Sequence, residues 1–308
     1  MRSWSTVVAL AVLAAGATPT AKAQAPCDRA CLTGYVDSYL AALFANDASK
    51  LRQAARARIT DNGAEKKLAD TFWPGAEQAV WRFDIVNTER GDTGTQTVIR
   101  NADGSKTMHM VRLKVLDGAI TEIETIKANR GEADRLWDPD RLVSVSPDLQ
   151  LSIREAERDS YYGLIAAAEG YWRAFQTNGT PDYHPAPLMP DARRFENGLQ
   201  TTGLVRDGQF VSAQSGFDAG RFVNRNIWDR RYPVVDEERG IVLSIVRFGL
   251  KAGAQSQSAA TTNDRLVGEF FAVKRGQIQE IHAVLFNLPD AEPTGWPPDT
   301  GPGRGSVK

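Results

Sequence analysis

The groups in this chain able to do acid–base or metal chemistry are few: His109, His184, His282, Cys27 and Cys31, set among many carboxylates and arginines. The histidines lie far apart and none has metal-pair spacing, so no metal site and no cofactor is expected. His109 stands in the run Thr107 to Leu116, where it shares parity with Val111, Leu113 and Val115. In a strand that parity puts it on the apolar face. A neutral imidazole held there against a carboxylate is a suitable general base, and the competing reading is a core histidine with one satisfied hydrogen bond. His184, in Asp182-Tyr183-His184-Pro185-Ala186-Pro187, belongs to a proline-bounded loop that could cover the second cavity, and the competing reading is a merely exposed loop histidine.

Other candidates are marked by recurrence. Arg58-Ile59-Thr60-Asp61-Asn62-Gly63 reappears as Arg193-Arg194-Phe195-Glu196-Asn197-Gly198, and Gly118-Ala119-Ile120-Thr121-Glu122-Ile123-Glu124 as Gly276-Gln277-Ile278-Gln279-Glu280-Ile281-His282. Arg58 with Asp61, and Arg193 with Glu196, read as a salt bridge before an Asn-Gly turn, or as a carboxylate at a cavity mouth tuned by an arginine. Glu124 and His282 occupy equivalent places. The isoleucines beside them sit three apart, which breaks alternation and predicts a bulge able to aim Glu124 and His282 into a cavity; edge positions in water are the alternative. Of the adjacent Arg230 and Arg231, one is expected to face a cavity and bind an acidic ligand. Tyr39, Tyr171 and Trp172 lie on apolar helix stripes and read as packing, or as residues aimed at a ligand. No Gly-rich phosphate loop, Gly-x-Ser-x-Gly elbow, His-x-x-x-His or dinucleotide fingerprint is present.

Cys27 and Cys31 on one helical turn would lie within disulfide reach, and their spacing is not the redox Cys-x-x-Cys, so a structural disulfide is expected. It sets the start of the first of two similar runs of elements. Each opens on an amphipathic helix, with Leu32, Val36, Tyr39, Leu40, Leu43 and Phe44 as the first stripe, stopping near Asn46. In the second, Ser152-Ile153-Arg154-Glu155 reads as a capping box, Tyr161, Leu164, Ile165, Ala168, Tyr171, Trp172 and Phe175 form the stripe, and Gly179 ends it. Further helices are predicted over 49–57 and 65–72. Strands are predicted over 80–88, 95–100 and 107–116, then over 222–235, 241–250, 267–274 and 277–286, with Asp103-Gly104 and Asp117-Gly118 as hairpin turns. Helices first and antiparallel strands after is the α+β pattern. The two recurring blocks are offset by 135 and 158 residues, which places an insertion of 23 residues in the second copy.

Arg2, an apolar run from Thr6 to Gly16 and Ala21-Lys22-Ala23 have the form of a secretory signal peptide. The expected organisation is a signal peptide over 1–23, a first domain over 24–128, a linker over 129–151, a second domain over 152–288 and a disordered Pro/Gly-rich tail over 289–308. Trp296 is the tail residue able to dock on the body. No later stretch approaches the roughly 20 apolar residues that cross a bilayer. A periplasmic or secreted protein, free of the membrane once its signal is cleaved, is therefore expected. Losing Arg2 and Lys22 with the leader takes the formal charge from −1 to −3. Such a chain lacks the basic face that phosphate neutralisation needs, so nucleic acid is not an expected partner.

The residues Asn46-Asp47-Ala48-Ser49-Lys50-Leu51, Thr60-Asp61-Asn62-Gly63 and Arg112-Leu113-Lys114-Val115-Leu116-Asp117-Gly118-Ala119-Ile120, in this order of elements, resemble the SnoaL-like branch of the nuclear-transport-factor-2-like superfamily. Cys27-Asp28-Arg29-Ala30-Cys31-Leu32 and the block from Arg230 to Gly240 resemble a poorly characterised group of secreted fungal and bacterial proteins. The resemblance implies two tandem cone-shaped domains, each with helices packed on a strongly bent antiparallel sheet around an apolar cavity. It also implies cofactor-free dehydration, isomerisation or lyase chemistry on a small, aromatic or polyketide-like molecule, or a module that only binds a ligand or assembles, with a homodimer left open. Roles then rest on residues. In the first domain His109 would be the base, Asp61 or Glu124 would orient it and Tyr39 would donate. In the second, Glu196 and His282 are the counterparts, Arg231 holds an anionic group, and Arg58, Arg193, Tyr171 and Trp172 complete the ligand contacts.

Overall fold

Asp28 starts the first helix, α1 (Arg29–Phe44), by accepting the Cys31 amide at 2.8 Å. A Cys27–Cys31 disulfide, with Cα atoms 5.3 Å apart, fastens the same turn. The structure, a computed structural model, describes residues 27–131, 136–251, 253–254, 264–288 and 294–297. The expected signal peptide and most of the expected tail lie outside them. Among the described residues no helix is long and apolar enough to cross a membrane.

After α1 the backbone turns at Asn46, whose φ is 48°. A helix was expected over 49–57, but only a 3-10 turn, Ala48–Lys50, forms before the chain enters strand β1 (Gln53–Asp61). The alanines and arginines of Gln53–Arg58 favour helix locally, and pairing within the sheet overrides that preference. Next come β2 (Ala64–Glu65) and α2 (Leu68–Thr71), one turn where a longer helix was expected. A meander of β3 (Ala76–Asn87), β4 (Asp92–Asn101), β5 (Lys106–Leu116) and β6 (Ala119–Ala128) completes the first half.

The second half opens on α3 (Tyr161–Thr177), capped by Ser160 and not by the Ser152–Glu155 box; the Ser152 hydroxyl binds Glu238 instead. It continues with β7 (Leu188–Glu196), β8 (Leu199–Thr202), β9 (Leu204–Arg206), β10 (Gln209–Val211), α4 (Ser215–Asp218), β11 (Arg225–Asp236), β12 (Ile241–Leu250), β13 (Asp264–Lys274) and β14 (Gln277–Leu288). One six-stranded sheet has the order β2-β1-β6-β5-β4-β3, the other β8-β7-β14-β13-β12-β11. The two orders match strand for strand. Both sheets are mixed rather than antiparallel throughout, because β1 runs parallel to β6 and β7 parallel to β14. The fold is thus α+β, built on two similar sheets.

The ladders align the halves residue by residue. Glu124 lies opposite Thr60 and Arg112; His282 lies opposite Phe195 and Phe270. The offset between matched positions is 135 at Asp61 and Glu196, 149 at Asn87 and Asp236, and 158 at Arg112 and Phe270. The extra residues of the second half therefore fall in two places. Most precede β11, where they build β9, β10 and α4, and the rest extend the β12–β13 connection.

Helix α1 packs on one face of the first sheet and α3 on one face of the second. The opposite faces pack on each other through Trp81, Phe83, Met108 and Met110 on one side and Leu243, Ile245, Phe270 and Val284 on the other. A Cβ placed on Gly94 would stand 3.2 Å from Leu243 Cδ2, and one on Gly268 would stand 2.8 Å from Met110 Cε. By ladder register Gly94 matches Leu243 and Met110 matches Gly268, so each half inserts a knob where its own counterpart position is a hole. The stretch expected as a linker joins this layer: Leu142 and Leu149 are buried, and Trp81 Nε1 donates to the Ser144 carbonyl at 3.0 Å.

Candidate functional site

Parity in β5 carries His109 to the face under α1, as expected. There the Tyr39 hydroxyl lies 3.3 Å from His109 Nε2 and the two rings stack. Both residues are fully buried. Burial, with the Lys127 charge nearby, pushes the imidazole pKa down to about 3, and among the described residues Nδ1 has no hydrogen-bond partner. Burial also drives the Tyr39 hydroxyl well above its ordinary value, helped by the charge of Asp61. Asp61 itself pairs with Lys127 at 2.9 Å and accepts from the Thr125 hydroxyl at 2.6 Å. An imidazole this weakly basic holds almost no proton near neutral pH, so its position suits hydrogen bonding better than proton abstraction.

Glu124 and His282 are buried but do not line the cavity of the second half. Bulges occur as expected, in β5–β6 at Lys114/Val115 and in β13–β14 at Ala272/Val273, but beyond them both side chains point into the layer between the sheets. Glu124 receives both Arg231 amino groups, Nη1 at 3.0 Å. His282 Nε2 lies 2.7 Å from Glu280, and its ring stacks on Phe195 at 4.6 Å. Arg231 is consequently no cavity arginine, and Arg230 is engaged by Glu169 and Gln176.

The pairs three residues apart are not ion pairs either, since that odd spacing on a strand sends the two side chains to opposite faces. Arg58 lies 4.3 Å from the ring centre of Trp296 and donates to the Gly295 carbonyl. Trp296 does dock, its Nε1 donating to Thr60 Oγ1 at 2.8 Å. Arg193 binds Glu280 and, at 3.1 Å, Asp148.

Polar groups do converge inside the second half. A cavity of about 580 Å³ lies between α3, the sheet and the segment inserted before β11. Tyr171, Trp172 and Glu196 line it, as do Arg194 and Glu269, which the sequence reading had not singled out. Glu269 Oε1 sits 3.4 Å from the Tyr171 hydroxyl and 3.4 Å from Arg194 Nε, while Arg194 Nη2 sits 3.3 Å from Glu196. Trp172 is occupied structurally, donating Nε1 to Ser244 Oγ at 2.8 Å.

Glu269 is completely buried, and among the described residues its Oε2 has no hydrogen-bond partner. Burial pushes its pKa up to about 7; Arg194 opposes the rise and Glu196 adds to it. Burial works against the charge of Arg194, yet Glu196, Tyr171 and Glu269 together hold its pKa above the ordinary value. The signal for Glu269 was present in the chain: it is a lone carboxylate sharing parity with Val267, Phe271 and Val273, which all lie in the core under α3. Arg194 likewise shares parity with Glu196 across one residue.

A domain of unknown function, DUF8021, matches residues 157–285. That span contains Tyr171, Arg194, Glu196 and Glu269. No curated protein matches the chain. Among solved structures, the chain is similar to AclR from Streptomyces galilaeus, which carries a provisional hydroxylase assignment. The likeness has 11% identity and a TM-score of 0.25, and covers 33% of this chain and 82% of that one.

Proposed function

We propose that the cavity of the second half is a cofactor-independent acid–base site for a small molecule, with Glu269 as the proton-carrying group. The observation that carries this reading is Glu269 itself, a buried cavity-wall carboxyl with a pKa near 7 and a free Oε2. A carboxyl so poised is populated in both forms at neutral pH, which is what a general acid or base requires. Tyr171 and Arg194 hold Oε1 and leave Oε2 to exchange a proton with the ligand. The Arg194 guanidinium stands where it can stabilise negative charge developing on a carbonyl oxygen. Dehydration, isomerisation and lyase cleavage all begin with such a proton transfer beside a carbonyl. In this reading the two halves are SnoaL-like cones, the first is a packed partner, and the protein is exported, in keeping with its disulfide.

The test is incubation of the protein in deuterated buffer with a panel of small aromatic and polyketide-like ketones and acids, followed by mass spectrometry. The expected result is deuterium uptake or a new product, reduced about 100-fold or more in Glu269→Gln and retained in His109→Asn. Turnover that survives Glu269→Gln unchanged sinks the assignment.

A further inference from the structure

The walls of the same cavity carry charge that the acid–base group does not use. Arg206, Arg221, Arg225 and Arg265 line it. Among the described residues none of the four meets a carboxylate. Elsewhere in the fold, arginines withdrawn from solvent do: Arg29 meets Asp236, Arg82 meets Asp84, Arg112 meets Asp92 and Arg231 meets Glu124.

Arg225 and Arg265 are half-buried, on strands separated only by β12, and Phe248 of that strand lies opposite Arg265 and beneath Arg225, 5.4 Å from its guanidinium. Burial and the neighbouring Arg265 both lower the Arg225 pKa. Two like charges half withdrawn from water, with no carboxylate paired to either among the described residues, are unfavourable unless an anion joins them.

From this pair an aromatic wall leads inward. Phe248 contacts Phe175 at 5.3 Å, Phe175 contacts Tyr171 at 5.0 Å, and Tyr171 reaches Glu269. Phe217 and Phe222 close on Phe175 at 4.6 and 4.5 Å. The cavity therefore carries unpaired cations at one end and, at the other, Arg194 between the carboxyls of Glu196 and Glu269, with ring faces between.

We infer that the cavity takes organic acids with a ring-bearing body, whose carboxylate or phosphate head is held by Arg225 and Arg265 while the body lies along Phe248 and Phe175 toward Glu269. The inference rests on the acid–base reading only for what happens at the Glu269 end. Recognition of the anionic head stands on the arginines alone. Arg206 and Arg221, on the inserted segment, add charge at the rim and draw anions in.

The experiment is isothermal titration calorimetry of the full protein with 2-naphthoate, 2-naphthyl phosphate and the neutral 2-naphthamide, at low and high sodium chloride. The two anions are expected to bind, at least one of them roughly tenfold or more tighter than the amide. Arg225→Gln and Arg265→Gln should each remove roughly tenfold of that anion affinity, leaving the amide unchanged, and high salt should act in the same direction. The ratio between naphthoate and naphthyl phosphate identifies the preferred head. Glu269→Gln should leave anion affinity within a fewfold, so loss of turnover there with binding intact separates the two readings. Among the described residues neither arginine pairs with a carboxylate, Arg265 donating instead to Asn287 Oδ1 at 3.3 Å, and unchanged melting curves confirm that the variants fold. Equal affinity for anion and amide, no effect of either substitution in a folded variant, or no binding of any probe would overturn the inference.

Discussion

Glu124 of the first half and Arg231 of the second form a buried ion pair at the place where, by ladder register, their counterparts His282 and Phe83 meet as rings with centroids 5.7 Å apart. One side of the inter-sheet layer thus carries full charges and the matching side carries aromatic contact. Both solutions satisfy the same geometry, but they fail differently.

Removing one partner of the ion pair leaves the other charge buried without its hydrogen-bonded counter-charge, Arg112 being the nearest cation left to Glu124. Glu124→Gln or Arg231→Met is expected to cost about 3–5 kcal/mol, and the double change Glu124→Leu with Arg231→Met to recover most of it. Urea unfolding of the three variants checks this. Equal stability of the single and double variants would mean that water reaches the pair.

The knob at Met110 predicts that Gly268→Ala destabilises by about 1 kcal/mol, because the new Cβ would stand 2.8 Å from Met110 Cε, the end of a flexible side chain that must swing aside. Shortening the knob should relieve the clash, so Met110→Ala is expected to rescue Gly268→Ala partly. The double-mutant coupling energy from thermal unfolding reads the contact directly.

Glu269 makes stability fall as pH rises. Its folded pKa, about 7, lies above the ordinary glutamate value of 4.5, so from about 4.5 to 7 the native state binds more proton than the unfolded state. Stability is lost across that window, by about 3 kcal/mol at the upper end. Glu269→Gln should flatten this slope, and carbon-13 NMR of the carboxyl should show its midpoint near neutrality.

His109 acts with the opposite sign. The unfolded state takes up a proton near 6.5 and the native imidazole only near 3, so stability falls as the solution is acidified through that window. His109→Phe should reduce the acid sensitivity, and nitrogen-15 NMR should show a neutral ring at pH 5.

Where the chain repeats a simple period, its structure was legible. The stripes of α1 and α3 and the strands β4, β5 and β12 to β14 follow from alternation and helical spacing, because each buries one face against an element it folds onto. Strand β1 was not legible, since Gln53-Ala54-Ala55-Arg56-Ala57 carries a helical preference and its parallel partner β6 comes more than fifty residues later. Tyr171 and Glu196, both legible as candidates from a helix stripe and a repeated block, line the cavity of the second half. Glu124 and His282 were expected to face a cavity because a bulge resets parity, and Arg231 because one of two adjacent arginines must turn inward; no local pattern tells a cavity-facing position from one buried between two sheets. Glu269 escaped notice inside an apolar run, where a single charge is the mark of a paired or functional group.

The exchanged knobs and holes have a consequence for how such a protein can change. Had this layer joined two identical subunits, every substitution on the face would occur twice, and Leu243 would meet Leu243 while Gly94 faced Gly94. Carrying both sheets on one chain lifts that constraint. A bulky residue, a charge pair or an added cavity wall can arise on one side and be answered by a different residue on the other, which leaves one half free to specialise while its companion keeps the shape.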